Sequence, residues 1–151
     1  MTTSFIQRVR PVRNGTGFQM DGYWVWCGSV IRGEDKRYHM FASRWPKTLP
    51  FHPGWLTDSE IVRAVADRPE GPFEFQEVVL GKRGAEYWDG CMAHNPMICR
   101  QGGKYILFYT GSTYPFAPLQ PHEAADNTSK GTFSTIGRHE NGESVIRLSG
   151  Q

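Results

Sequence analysis

Two aspartates stand out for the chemistry their neighbours would support. Asp21-Gly22-Tyr23-Trp24 and Trp88-Asp89-Gly90 each set an Asp-Gly pair beside tryptophan, and the two pairs lie 68 residues apart. Two carboxyls held roughly 6.5–9.5 Å apart can hydrolyse a glycosidic bond with inversion, one donating a proton to the leaving oxygen and the other activating water. Trp24 and Trp88 flank these acids. Indole faces stack on the C–H faces of sugar rings while their N–H groups bind hydroxyls. His94-Asn95 would add hydrogen bonds to substrate hydroxyls, and Arg44, within Arg44-Trp45-Pro46-Lys47, a cation for a sugar or phosphate. Each feature also has a plainer reading. Asp-Gly is a turn signal, alternating Trp24 and Trp26 is what a buried strand presents, His94 suits a structural role and Arg44 a solvated loop. Trp26 is expected in the core, with Trp24 and Trp88 as pocket walls.

Positioning such residues requires elements, and the chain repeats them. At an offset of 67, Ser29-Val30-Ile31 falls on Pro96-Met97-Ile98, and Arg37 to Ser43 falls on Lys104 to Thr110. The segments between, Gly33-Glu34-Asp35-Lys36 and Arg100-Gln101-Gly102-Gly103, coincide as turns, so both copies read strand, tight turn, strand. Ser59 to Ala66 alternates well enough for a third strand, Pro69-Glu70-Gly71-Pro72 supplies a turn, and Phe73 to Leu80 reads as a fourth. Four antiparallel strands followed by a restart is the pattern of a propeller blade; a β-sandwich or two unrelated hairpins are the alternatives. In the second copy the third strand's Ile61-Val62-Arg63-Ala64-Val65 lands on Thr128-Ser129-Lys130-Gly131-Thr132, which has no apolar alternation. The expected organisation is a lead segment 1–20, a first blade 21–80, a partial second blade 81–119 and a polar tail 120–151 of loop or disorder. The fold class is all-β, a partial β-propeller.

Composition agrees. The 17 Gly and ten Pro interrupt the chain every few residues, and no stretch sustains a helical period over three turns. Seventeen Lys and Arg against 15 Asp and Glu, a net charge of +2 with no long run of either sign, predict no nucleic-acid partner. Cys27, Cys91 and Cys99 are too few and too irregular for a disulfide framework, so reduced thiols are expected. Cys91 and His94 are a soft ligand pair without two companions, and no metal or cofactor is expected. Without a leader-like start or eighteen consecutive apolar residues, no membrane partner and a cytoplasmic location are the expectation. Asp67, Glu70, Glu74 and Glu77 are expected as surface charges on the outer strands.

The ordered motifs resemble a family. Ser29-Val30-Ile31, the turn containing Asp35 and Tyr38 to Ser43 resemble the first blade of glycoside hydrolase family 43, a group of five-bladed β-propellers. Ala64 to Phe73 is similar to its blade-closing strand and Gly-Pro turn, and His94-Asn95-Pro96-Met97-Ile98 through Tyr109 to its second blade. The match covers about Asp21 to Tyr114. The resemblance implies a funnel on the propeller axis and carbohydrate substrates. An early Asp would act as general base, here Asp21, and a second-blade Asp would orient the acid, here Asp89. A general-acid Glu would lie beyond the matched region. Many members carry the base in an Asp-Pro where this chain has Cys27-Gly28. The alternatives are a glycoside phosphorylase on a similar propeller and a non-catalytic sugar-binding module. A propeller left open exposes unpaired strand edges, so self-association is also expected.

Overall fold

The computed structural model describes residues 4–9, 11–84 and 86–113. The end of the expected second unit and the polar segment 120–151 lie outside the described residues. Among those described, a four-stranded antiparallel sheet runs in the order β1 (Tyr23–Arg32), β2 (Tyr38–Pro46), β3 (Glu60–Ala66), β4 (Glu74–Leu80). A two-stranded sheet, β5 (Met92–Gln101) and β6 (Lys104–Ser112), follows. The all-β class therefore holds. β3 and β4 each begin one residue later than the alternation predicts, because the preceding residues bond elsewhere. Ser59 O accepts the Ala93 N–H at 3.0 Å, and the Phe73 N–H donates to Gly17 O at 2.9 Å.

One short helix was not expected. α1 (Phe51–Asp58) connects β2 to β3, and its φ/ψ break at His52 leaves little regular helix. Eight residues make about two turns at 3.6 residues per turn, too few for a helical period to register in the sequence.

The internal repeat is more regular than the sequence suggests, and its register differs from the one expected. β1 pairs with β2 through Trp26↔Ser43, shifts register, and resumes at Ser29↔Phe41. β5 pairs with β6 through His94↔Thr110, shifts, and resumes at Met97↔Phe108. Each hairpin carries its bulge with one residue in the left-handed region, Cys27 at φ 53° and Asn95 at φ 51°. Ser29-Val30-Ile31 is thus equivalent to Met97-Ile98-Cys99, not to Pro96-Met97-Ile98. The extra residue sits at the hairpin tips. In the first hairpin the Gly33 N–H donates to Arg37 O at 2.8 Å around a three-residue tip, Glu34-Asp35-Lys36, with Lys36 at φ 66°. In the second only Gly102 and Gly103 lie between the strands, both at positive φ as a two-residue hairpin turn requires. Asp21 and Asp89 keep the same spacing as the first strands they precede.

The hairpin packs on the face of the four-stranded sheet that carries Phe41 and Ile61, burying Ile61, Ala93 and Tyr109 together with Leu107 and Trp88. The opposite face, with Met40, Ala64, Ala66 and Phe73, is covered by Phe18 of the lead segment. Full burial of an aliphatic side chain such as Ile61 is worth about 1.5–3 kcal/mol. The approach of the β4–β5 connection to β6 depends on Gly111, where a Cβ would lie 2.7 Å from Trp88 Cζ3 and collide with Asp89 Cβ. Gly111→Ala is expected to destabilise the fold by about 1–3 kcal/mol, read as a lower urea midpoint at unchanged m-value. An unchanged midpoint would mean that the contact between Trp88 and β6 is looser than described.

Candidate functional site

Antiparallel pairing gathers the N-terminal ends of β1, β3 and β5 and the C-terminal end of β2 at one end of the molecule. α1 lies at that end, and so do both Asp-Gly segments. Phe51 of α1 organises an aromatic surface there. Its ring lies 5.6 Å from Trp24, 5.3 Å from Trp26 and 5.1 Å from Trp45, the first two edge to face. Trp26 is 53% exposed and Phe51 40% exposed. Trp26 is therefore not a core residue: β1 is an edge strand of its sheet, with no strand paired to its outer side among the described residues. Trp24 is the more enclosed of the pair, its indole N–H donating to Leu49 O at 3.1 Å and Lys47 Nζ standing 5.2 Å from its ring.

His94 and Asn95 mark the equivalent position on the second hairpin. Asn95 is exposed, and its backbone N–H donates to Ser43 Oγ at 3.0 Å. His94 is buried, with Nδ1 2.7 Å from Ser59 Oγ and its ring stacked on Trp55 at 4.8 Å. Burial pushes its pKa down from 6.5 to about 4, so the imidazole is neutral at pH 7. Ser59 and His94 resemble a nucleophile and base, yet Ser59 is fully buried, so the pair ties β5 to the start of β3 rather than facing a substrate. Burial pushes the Cys27 thiol up, against an opposing hydrogen bond from Trp26, and all three cysteines are free.

The two aspartates occupy unlike environments. Asp21 is exposed in the turn before β1. Asp89 is 3% exposed, and both of its oxygens are engaged. Oδ1 accepts from Arg83 Nε at 2.9 Å and Nη2 at 2.5 Å, and Oδ2 accepts from the Tyr109 hydroxyl at 2.7 Å. Trp88 stacks on Tyr109 at 5.7 Å and lines a cavity of about 330 Å³ with Val79, Leu80 and Leu107, so it belongs to the packing between the sheets. Arg44 lies on the far face of β2. It pairs with Glu60 at 2.7 Å and is held between the rings of Tyr23 and Phe75, at 4.3 and 4.7 Å. The fold thus brings Trp24, His94 and Asn95 together with Phe51, Trp26 and Trp55, and sets Arg44 apart. Phe51 and Trp55 escaped the sequence reading. The Pro50-Phe51-His52-Pro53-Gly54-Trp55 run was the signal available for them.

A second polar group lies at the hairpin-tip end. Arg63 Nη1 donates to His39 Nδ1 at 3.0 Å, which leaves Nε2–H to donate to Asp35 at 3.1 Å, and Arg63 Nε reaches Glu77 at 2.7 Å. The hydrogen bond from His39 holds the Asp35 carboxyl below its usual value. These residues border a cavity of about 350 Å³ with Phe41 and Tyr105. Glu77, expected as a surface charge and exposed, is one end of this chain.

Among the described residues no cluster of three or more His, Cys, Asp or Glu could hold a metal ion, and no helix is long and apolar enough to cross a membrane. No protein-family model and no curated protein matches this chain.

Proposed function

We propose that this chain forms the opening part of a carbohydrate-processing β-propeller, a glycoside hydrolase of family 43 type, with its sugar-binding surface at the aromatic end. The observation that carries the reading is the exposed Trp26–Phe51 surface beside Asn95, at the end where both Asp-Gly segments lie. Aromatic faces of this kind suit the C–H faces of sugar rings, and neighbouring polar groups suit their hydroxyls. Two hairpins with the same bulge, packed face to face, are the relation expected of successive blades. In this reading Asp21 is the general base, open to solvent, and Asp89 is a positioning group held by Arg83 and Tyr109. The general acid in this reading is a Glu beyond the matched region of about Asp21 to Tyr114. Self-association through the edges of β4 and β6 belongs to the same reading.

Binding without turnover is the second reading, and the saturation of both Asp89 oxygens favours it. A phosphorylase ranks lower because Arg44 is already paired with Glu60.

Titration with aryl arabinosides, xylosides and galactosides, with and without phosphate, separates the three. Trp26→Ala and Phe51→Ala are each expected to weaken sugar binding about tenfold, equivalent to about 1.4 kcal/mol. Sugar release that requires phosphate would sink the hydrolase, and binding with no release would leave the module. Affinity indifferent to both aromatic substitutions would remove the proposed surface.

A further inference from the structure

Beneath α1 the fold collects polar side chains that the sugar-binding surface does not use. Ser43, Trp45, Thr57, Ser59 and His94 are each at most 4% exposed, and they come from β2, α1, the residue before β3, and β5. Most have partners. Ser59 Oγ meets His94 Nδ1, Ser43 Oγ accepts from the Asn95 N–H, and the Thr57 hydroxyl donates to Gly54 O at 3.3 Å.

The Trp45 indole N–H differs: it is buried and has no acceptor among the described residues. Ser112 Oγ shares that condition, but a hydroxyl can rotate and can also accept, whereas an indole N–H only donates, in a direction fixed by the ring. Buried donors are paired in nearly all folded proteins, because an unpaired one forfeits its hydration without return.

The groups around this N–H are few and close. A Cβ on Gly54 would stand 2.9 Å from Leu49 Cβ, 3.0 Å from Trp45 Cδ1 and 3.3 Å from Trp45 Nε1, so α1 packs its backbone directly on this edge of the indole. Gly54 is not at positive φ, so its backbone conformation does not explain the glycine. The His94 ring lies 5.6 Å away edge-on, neutral, with Nδ1 engaged and Nε2 as its other polar atom. We infer that the Trp45 N–H donates to a hydroxyl oxygen held between β2, α1 and β5, either an ordered water or a hydroxyl of a bound sugar. The sugar arm rests on the function proposed above; the water arm stands without it.

Incorporating benzothienylalanine at position 45 replaces the N–H by sulfur at nearly constant shape. If water is the ligand, the thermal midpoint of the sugar-free protein falls. If the ligand is a sugar hydroxyl, that midpoint rises while sugar affinity drops about five- to tenfold, the worth of one hydrogen bond. A midpoint that rises or stays level with no loss of sugar affinity, or with no sugar bound by either protein, overturns the inference. In the unmodified chain, a cross-peak between the Trp45 indole proton and a long-lived water must appear in the water case, whereas in the sugar case it is absent from the sugar-free protein and a contact to a sugar proton appears on sugar addition. Failure of the sugar-binding proposal alone is recognised by loss of the second arm with the first intact.

Discussion

Asp89→Ala is expected to cost about 2–4 kcal/mol of stability, a substantial part of the roughly 5–15 kcal/mol of an ordinary domain. The carboxylate is buried and receives Arg83 and Tyr109, so its removal takes the acceptor from both and leaves a void beside Trp88. Arg83 is part-exposed and can return to water, which keeps the figure below that of a fully buried pair. Asp89→Asn keeps the shape but not the charge, and about 1–2 kcal/mol is expected. Asp21→Ala, at an exposed turn, should stay within about 0.5 kcal/mol. Urea unfolding of the three variants measures this directly. Under the hydrolase reading the activities run the other way, since Asp21→Asn should abolish turnover in a protein of normal stability. Equal midpoints for Asp89→Ala and Asp21→Ala would remove Asp89 from the structural role assigned to it.

Acidification from pH 6.5 to 4 is expected to weaken the fold by up to about 3 kcal/mol through His94 alone. Its folded pKa is about 4 against 6.5 as the ordinary value. The unfolded chain therefore takes up the proton first. Stability is fully present above pH 6.5, falls as the pH drops towards 4 and then levels off. Because one pKa unit is about 1.4 kcal/mol, the shift sets the ceiling. The contact with Ser59 lowers the realised value, since Ser59 Oγ can accept a hydrogen bond from a charged ring. Asp35, whose carboxyl is held below its usual range by His39, weakens the fold only in the more acidic window below about pH 4. His94→Gln should flatten the profile between pH 6.5 and 4 and leave the lower window in place. A profile unchanged by that substitution would mean that His94 is accessible to protons in the folded state.

Strand positions, hairpin tips and the all-β class were legible in the sequence because each is a local property. Alternation places Ile61, Val62, Ala64 and Val65 in a strand, and Gly102-Gly103 closes a two-residue turn whatever surrounds it. The recurrence of Asp-Gly beside tryptophan was equally local. Register was only nearly so: aligning the copies placed Ser29 on Pro96 because the hairpin tips differ by one residue, and only strand pairing reveals which side carries the extra one.

The roles of the site residues were decided by the tertiary structure. Asp21 and Asp89 have the same local sequence signal, yet one is solvated and the other buried, because Tyr109 of β6 closes on Asp89 together with Arg83 of the same connection. Trp26 is exposed on a strand that lies at the edge of its sheet among the described residues, a fact of topology that alternation does not carry. The Ser59–His94 contact joins residues 35 apart, and the Asn95–Ser43 contact residues 52 apart. Such partners are chosen by how the hairpin packs on the sheet. The amino-acid sequence by itself determined that this chain forms antiparallel strands and which side chains could do chemistry. Burial and partnership, which decide which of them face solvent, exist only once distant segments have met.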